Sequence, residues 1–542
     1  MFYFPSLIPS TFIYMIKKYQ VLFILILFLT ACNTSVKTDQ EQEEKPEEKP
    51  AYYTETYRPQ YHFSPEKSWM NDPNGLVFNK GTYHLFYQYY PDSLAWGPMH
   101  WGHAASKDLV SWEHKPVALK PDSLGYIFSG SAVVDKNNTS GFGTTENPPM
   151  IAMFTYHDAK AADAGKTDYQ SQAIAYSIDN GDTWTKYKGN PVVPNNDQGI
   201  DFRDPKIFWH EGSQKWILVL VAGDHAQIYN SDDLKKWDYL SEFGKKMGAH
   251  GGVWECPDLF PLKIDGNGEE KWVLLISINP GGPNGGSATQ YFVGDFDGKT
   301  FTTAQKDIKW IDYGPDDYAG ITYNNLPNDR RIFIGWMSNW FYGQKIPTST
   351  WRSAMTLPRK LELHKTDDYF LSNYPIKNFT EKLNYLKLNV KNTEHFEDVG
   401  LNQSAIKFTQ PSPLTDFRIA FSNTAKDSLF VDYNAEKKEF YIDRSKSGKT
   451  DFEPSFTSNK LVAKAQLKQG ENVQFSIFLD QSSIEIFIDD GATTMTVRFF
   501  PNAPYTLFDF SGNAKPENLK IAHVPGIWSD NINTNKKQTQ NQ

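Results

Sequence analysis

A short pattern recurs four times within the first 301 residues and restricts the fold more than any other feature of the chain. Each copy ends an apolar run on a small residue, turns through aspartate, and opens the next run with an aromatic ring. The copies are Ser106-Lys107-Asp108-Leu109-Val110-Ser111-Trp112, Ser177-Ile178-Asp179-Asn180-Gly181-Asp182-Thr183-Trp184, Ser231-Asp232-Asp233-Leu234-Lys235-Lys236-Trp237 and a degenerate Gly294-Asp295-Phe296-Asp297-Gly298-Lys299-Thr300-Phe301. Their aromatic residues are 72, 53 and 64 positions apart. Irregular periods of this size, with strand-like runs at 215–221 and 271–277 between them, fit small sheets repeated around an axis and joined by unequal loops. Residues 57–363, at roughly 60 per unit, accommodate five four-stranded blades. The expected fold class is all-β: a five-bladed β-propeller followed by a C-terminal β-sandwich.

The sandwich expectation rests on residues 380–528, where the pattern becomes strict alternation with tight polar turns. Residues 474–479, a turn at Asp480-Gln481-Ser482-Ser483, residues 484–488, a turn at Asp489-Asp490-Gly491 and residues 495–499 read as antiparallel strands. Residues 364–379 read as a linker, and the polar stretch 529–542 as a disordered tail.

The amino terminus reads as an export signal. Lys17 and Lys18 give a positive region, residues 21–29 an apolar one, and Leu29-Thr30-Ala31-Cys32 ends in small residues before a cysteine, which resembles a bacterial lipobox. The apolar run is shorter than the roughly 20 residues a spanning helix needs. Residues 1–32 are therefore expected to be a lipoprotein signal peptide, with Met15 as an alternative start and Cys32 as the lipidated residue. Residues 33–56 contain Glu-Glu-Lys-Pro twice and almost no apolar side chains, so they cannot bury enough surface to offset their ordering entropy. They read as a tether. One lipidated cysteine anchors without crossing, so the expected location is the periplasmic or outer cell surface.

Composition narrows the partners. Lys and Arg total 55 against 64 Asp and Glu, and a net charge of −9 argues against nucleic acid. Fifteen Trp and 29 Tyr suit a site where flat rings meet the C–H faces of sugars, and equally suit aromatic-rich β cores. The only cysteines are Cys32 and Cys256, so no structural disulfide is expected. His100 and His103 have helical spacing, but Trp-Gly-Pro-Met and Trp-Gly break any helix there and no third ligand accompanies them. No metal and no cofactor are expected; the sequence leaves the oligomeric state open.

Three carboxylate-bearing motifs carry the chemistry: Trp69-Met70-Asn71-Asp72-Pro73-Asn74-Gly75, Arg203-Asp204-Pro205 and Glu255-Cys256-Pro257. Acids at strand or loop ends are how all-β glycosidases gather a nucleophile and a proton donor around one ring. In this order, the motifs resemble glycoside hydrolase family 32, the β-fructofuranosidases that include invertases, inulinases and levanases. Phe86-Tyr87-Gln88-Tyr89, Trp96-Gly97-Pro98-Met99-His100-Trp101-Gly102-His103, Phe128-Ser129-Gly130-Ser131 and Gly335-Trp336-Met337 look like further blocks of that family. Leu479-Asp480-Gln481-Ser482-Ser483-Ile484-Glu485-Ile486-Phe487 looks like its trailing-domain signature.

The resemblance implies Asp72 as nucleophile, Glu255 as general acid/base and Asp204 as transition-state stabiliser. It also implies Asn71, Gln88, Trp96, Phe128 and Ser129 as fructosyl-binding positions, with Trp69 and Trp336 as walls. Arg203 reads as the counter-charge to Asp204. Asp72, in a turn rich in backbone donors, should favour the charged form; like-charge repulsion should hold a proton on Glu255. Cys256 reads as a small buried packing residue, with a thiol tuning Glu255 as the alternative. The implied activity is retaining hydrolysis of levan, inulin, fructo-oligosaccharides or sucrose, exo-acting with release of fructose. Alternatives are an endo-levanase or fructosyltransferase on the same fold, and a catalytically dead fructan-binding lipoprotein. Five-bladed glycosidases acting on arabinan or xylan also use three dispersed acids, and the Asn-Asp-Pro-Asn-Gly context with Phe-Ser-Gly downstream argues against them.

Overall fold

The computed structural model describes residues 53–196, 199–387, 394–468 and 470–528. The expectations for residues 1–32, including Cys32, for all but the end of the tether, and for the tail at 529–542 lie outside the described residues. Among the described residues no helix is long and apolar enough to cross a membrane.

Five antiparallel sheets follow one another along the chain. The first pairs Ser68–Asn79, Thr82–Tyr90, His100–Ser106 and Glu113–Leu119 in that order. The second uses Tyr126–Val134, Met150–His157, Gln170–Ser177 and Thr185–Lys186; the third Phe202–His210, Lys215–Ala222, Ala226–Ser231 and Asp238–Phe243. The fourth uses Val253–Lys263, Glu270–Asn279, Ala288–Phe296 and Phe301–Thr302; the fifth Tyr318–Thr322, Ile332–Trp336, Arg359–Lys365 and Tyr369–Pro375. The first strand of each sheet packs on the first strand of the next, and the fifth returns to the first, so the sheets close a ring of blades around an axis. A two-residue strand, Trp351–Arg352, pairs in parallel with Ser68 and Trp69 and ties the fifth blade's excursion to the first.

The recurring sequence pattern is the turn from third to fourth strand in blades one to four. In the first, Ser106 Oγ accepts the Leu109 N–H at 2.8 Å and Asp108 Oδ1 accepts Val110 and Ser111 N–H; in the third, Ser231 and Asp233 do the same for Leu234, Lys235 and Lys236. Each turn passes through the left-handed region, at Leu109, Gly181, Leu234 and Gly298. The indoles of Trp184 and Trp237 close their turns onto the carbonyls of Gly181 and Leu234, both at 3.2 Å. Serine and aspartate recur because the turn needs side-chain acceptors for otherwise unpaired N–H groups.

The linker expected at 364–379 is instead the outer strand of the fifth blade, Tyr369–Pro375, followed by a one-turn helix at Lys377–Thr380. Its turn, Thr366-Asp367-Asp368, lacks both the serine of the first three copies and the aspartate-to-aromatic spacing of all four, which hid the strand. Beyond it, two six-stranded sheets face each other over a core containing Phe408, Phe417, Phe440, Phe475 and Ile477. Residues 53–56, expected as tether, are part of the folded body: the Tyr53 ring stacks on Trp528 with centroids 4.0 Å apart.

A buried ionic network joins propeller to sandwich. Arg359 donates to Asp312, Asp317 and Asn373 from Nη1, and to Glu485 and Thr496 from its other nitrogens. His62 lies between Asp480 and Glu485, at 2.8 and 2.7 Å. Those two acids belong to the Leu479–Phe487 motif, so its polar positions serve the junction while Ile484 and Ile486 fill the sandwich core.

Candidate active site

All five innermost strands share one irregularity. Pairing with the second strand skips between Met70 and Pro73, Ile127 and Gly130, Arg203 and Lys206, Glu255 and Asp258, and Tyr318 and Ile321. A bulge breaks the in-out alternation and re-aims the side chains beside it. Pro73, Pro205 and Pro257 sit where a missing N–H costs no ladder bond. Gly130 and Gly320 take that place in blades two and five, where a Cβ would lie 2.0 Å from the Met153 carbonyl oxygen or from the Phe333 ring. Asp204, Cys256 and Ala319 carry φ of +62°, +46° and +54°, strain that bulges next to functional sites commonly hold. The Asp-Pro and Cys-Pro dipeptides are thus the sequence form of a repeated bulge.

The two residues before each proline or glycine converge on the axis: Asn71 and Asp72, Phe128 and Ser129, Arg203 and Asp204, Glu255 and Cys256, Tyr318 and Ala319. Asp72 Oδ1 accepts from Asn71 Nδ2 at 3.0 Å and Oδ2 accepts from Ser129 Oγ at 2.6 Å. Cys256 Sγ lies 3.6 Å from Asp72 Oδ2 and 3.6 Å from Asp204 Oδ2, and the Cys256 N–H donates to Asp204 at 3.0 Å. Arg203 donates to Glu255 Oε1 at 2.7 Å and to Asp201, with Asp204 farther off at 3.8 Å. Tyr318 donates to Glu255 Oε2.

Three sequence expectations need correction here. Asp72 lies in a bulged strand, and its donors are side chains rather than turn N–H groups. Arg203 faces Glu255 more closely than Asp204. Trp69 and Trp336, expected as walls, are 0 % exposed and stand one layer back. Their indoles serve as struts, Trp69 Nε1 donating to Asn71 Oδ1 at 2.7 Å and Trp336 Nε1 to the Met70 carbonyl at 3.1 Å. Trp340, packed on both, faces the cavity together with Trp96.

That cavity holds about 260 Å³ at the ring's mouth. It is lined by the three acids with Asn71, Gln88, Trp96, Phe128, Ser129 and Arg203, all anticipated, and by His157, Tyr169, Gln170, Asp201 and Trp340, which were not. Phe128 stacks on His157 at 4.3 Å and meets Trp96 edge-on at 6.0 Å. Tyr318 was missed too, although Tyr318-Ala319-Gly320 stands in register with Glu255-Cys256-Pro257, and reading the fifth blade against the other four would have found it.

Burial dominates the electrostatics. It pushes Glu255 up to about 7, with Arg203 opposing and the charges of Asp204 and Asp72 adding to the rise. Repulsion, expected as the main cause, is secondary. Asp204 rises to about 6 for the same first reason. The Cys256 thiol is pushed well up by burial and the surrounding carboxylates, so it remains a protonated donor between Asp72 and Asp204. It packs and also supplies a hydrogen.

A five-bladed ring with three carboxylates converging at one mouth, one of them held protonated near neutral pH, defines a glycoside hydrolase. Residues 62–375 match the family described as "Glycosyl hydrolases family 32 N-terminal domain", and residues 377–523 match "Glycosyl hydrolases family 32 C terminal". The chain is 46 % identical over 497 residues to a levanase of Bacillus subtilis (strain 168), covering 88 % of this chain and 72 % of that one. It is 44 % identical over 520 residues to an extracellular exo-inulinase of Aspergillus niger, covering 88 % and 96 %. The crystal structure of exo-inulinase from Aspergillus awamori superposes with a TM-score of 0.79 at 39 % identity, covering 88 % of this chain and all of that one. The chain belongs to glycosyl hydrolase family 32.

Proposed function

We propose that this chain is an exported, exo-acting β-fructofuranosidase that removes terminal fructose from levan, inulin, fructo-oligosaccharides or sucrose with retention of configuration. The observation that carries the reading is the division of labour among the acids. Among the described residues Asp72 accepts from the neutral Asn71, Ser129 and Cys256 side chains and pairs with no cation. Glu255 is the acid whose burial keeps a proton near pH 7.

Asp72 attacks the anomeric carbon of the terminal fructosyl unit while Glu255 donates its proton to the departing glycosidic oxygen. This breaks the C–O bond and forms a fructosyl ester on Asp72. Glu255, now ionised and held by Arg203 and Tyr318, takes a proton from water, whose oxygen displaces Asp72 from the same carbon. Two displacements restore the starting configuration. Asp204, hydrogen-bonded by the Cys256 N–H, holds ring hydroxyls as positive charge grows on the sugar. Asn71, Gln88 and Ser129 position the ring, with Phe128, Trp96 and Trp340 against its apolar edges.

Exo action is supported by the size of the cavity and by the exo-inulinase likeness. Chromatography of levan digests should show fructose alone; a ladder of oligosaccharides would instead mean endo cleavage. NMR of the first product should show β-fructose, and early α anomer would overturn the covalent route. A crystal structure should place the Asp72 and Glu255 carboxyls about 5–5.5 Å apart, against about 6.5–9.5 Å for a route with water between them. Lipidation at Cys32 would hold the exported enzyme at a membrane surface: Cys32→Ala should release the enzyme or block its maturation, and activity that stayed on membranes would refute the anchor.

A further inference from the structure

The strands that carry the acids near their first residues end at the ring's other mouth, where the structure holds a second cavity of about 780 Å³, three times the catalytic one. Asp204 and His210 are six residues apart on one such strand, about 20 Å of extended chain. The two cavities share no lining residue. Buried polar side chains fill the axis between them. Lys206 Nζ bonds Asp258 at 3.1 Å and the Thr322 carbonyl at 2.8 Å, and Asn324 Nδ2 bonds the carbonyls of Ala132 and Ile207 at 2.8 and 3.1 Å.

The distal cavity is walled by the half-buried indoles of Trp209 and Trp272, from neighbouring blades. Among the described residues neither indole N–H has a protein acceptor. Asn324 and Asn325 spend their side-chain N–H groups on backbone carbonyls, and among the described residues no donor reaches their side-chain oxygens. The nearby charges cancel, Lys136 and Arg331 against Glu211 and Glu270. Open donors and acceptors beside flat apolar faces, without net charge, match a neutral polyhydroxylated ligand. A phosphate would want a surplus of cations, and a lipid would leave the indole and amide groups unpaired.

We propose that the distal cavity is a second, non-catalytic carbohydrate site, which holds a stretch of β-fructoside polymer while the catalytic pocket trims chain ends. This rests on the fructan reading above. The test uses the full chain carrying Trp209→Ala and Trp272→Ala. The KM for levan should rise about tenfold at unchanged kcat, while kcat/KM on sucrose, too small to span both mouths, stays within about twofold. In an inactive Glu255→Gln background, the same pair should abolish retardation in gels containing levan, and Trp209→Phe with Trp272→Phe should restore it. If the alanine pair fails to fold, Asn137→Tyr, an exposed change at the cavity rim, must give the same split. A folded variant with unchanged levan KM and retardation overturns the site while leaving the hydrolase reading intact. An unmodified chain that cleaves no β-fructoside overturns the hydrolase reading.

Discussion

Tyr318 is the residue through which the fifth blade reaches the chemistry. Its hydroxyl donates to Glu255, which favours the ionised form of that acid, so Tyr318→Phe should move the alkaline limb of kcat/KM to higher pH and lower kcat by about 10- to 100-fold, the worth of a charge-assisted bond. A pH–rate profile with an unmoved limb would show that the phenol does not tune the acid. The raised acids also affect folding. A carboxyl whose folded pKa lies above its unfolded value adds stability that is fully present below the unfolded pKa and is lost as pH rises through the folded one. For Asp204 and Glu255 that loss runs from about pH 4 up through about 6 and 7. Glu255→Gln should therefore melt higher than the unmodified protein at pH 8, by the order of 1–3 kcal/mol, with the difference closing by pH 5. Equal melting curves at both pH values would refute the linkage.

At the level of the strand, the bulge is the unit that makes this site. Gly130→Ala would drive a methyl group into the Met153 backbone, so we expect at least about 3 kcal/mol of destabilisation, read by denaturant unfolding, whereas Gly81→Ala, in open space, should cost only the strain of its left-handed φ. Bulges also decide how much was legible. Three of five reveal themselves as an acid or cysteine before proline, so Asp72, Asp204 and Glu255 could be picked out with their neighbours. The glycine-marked pair yielded Ser129 only through its resemblance and Tyr318 not at all, because a lone glycine in a strand has many causes. Side-chain aim was the least legible. Trp69 and Trp336 bear the right chemistry for a sugar wall, yet a one-residue change of alternation puts each behind the pocket, and no local signal reports that.

Across the whole molecule, a buried network of charges ties the sandwich to the propeller beside its apolar contacts. Removing Arg359 would leave Asp312 and Asp317 buried without their cation and Glu485 with His62 alone, so Arg359→Met should cost about 3–5 kcal/mol and uncouple the two halves in differential calorimetry. His62 titrates within the same junction. Burial alone would lower its pKa, but Asp480 and Glu485 raise it to about 9, so its contribution is complete below about pH 6.5 and is lost as pH climbs through 9. His62→Gln should flatten the fall in melting temperature across that window. The propeller, the sandwich and their order were readable because period and alternation follow directly from strand geometry. The junction was not, since charges 418 residues apart in sequence leave no pattern that a scan along the chain can detect.

The stacking of Tyr53 on Trp528 brings the first and last described residues of the body within a ring's width of each other. Such a body is, in topological terms, a closed loop cut at one place, and the cut can be moved. A gene that joins residue 528 to residue 53 through a few glycines and opens the chain at Gly165, whose surroundings are empty, would encode the same blades in rotated order. That circular permutant should fold and cleave sucrose at close to the parental rate. Its new ends would emerge from the second blade, offering a handle for immobilising or fusing the enzyme.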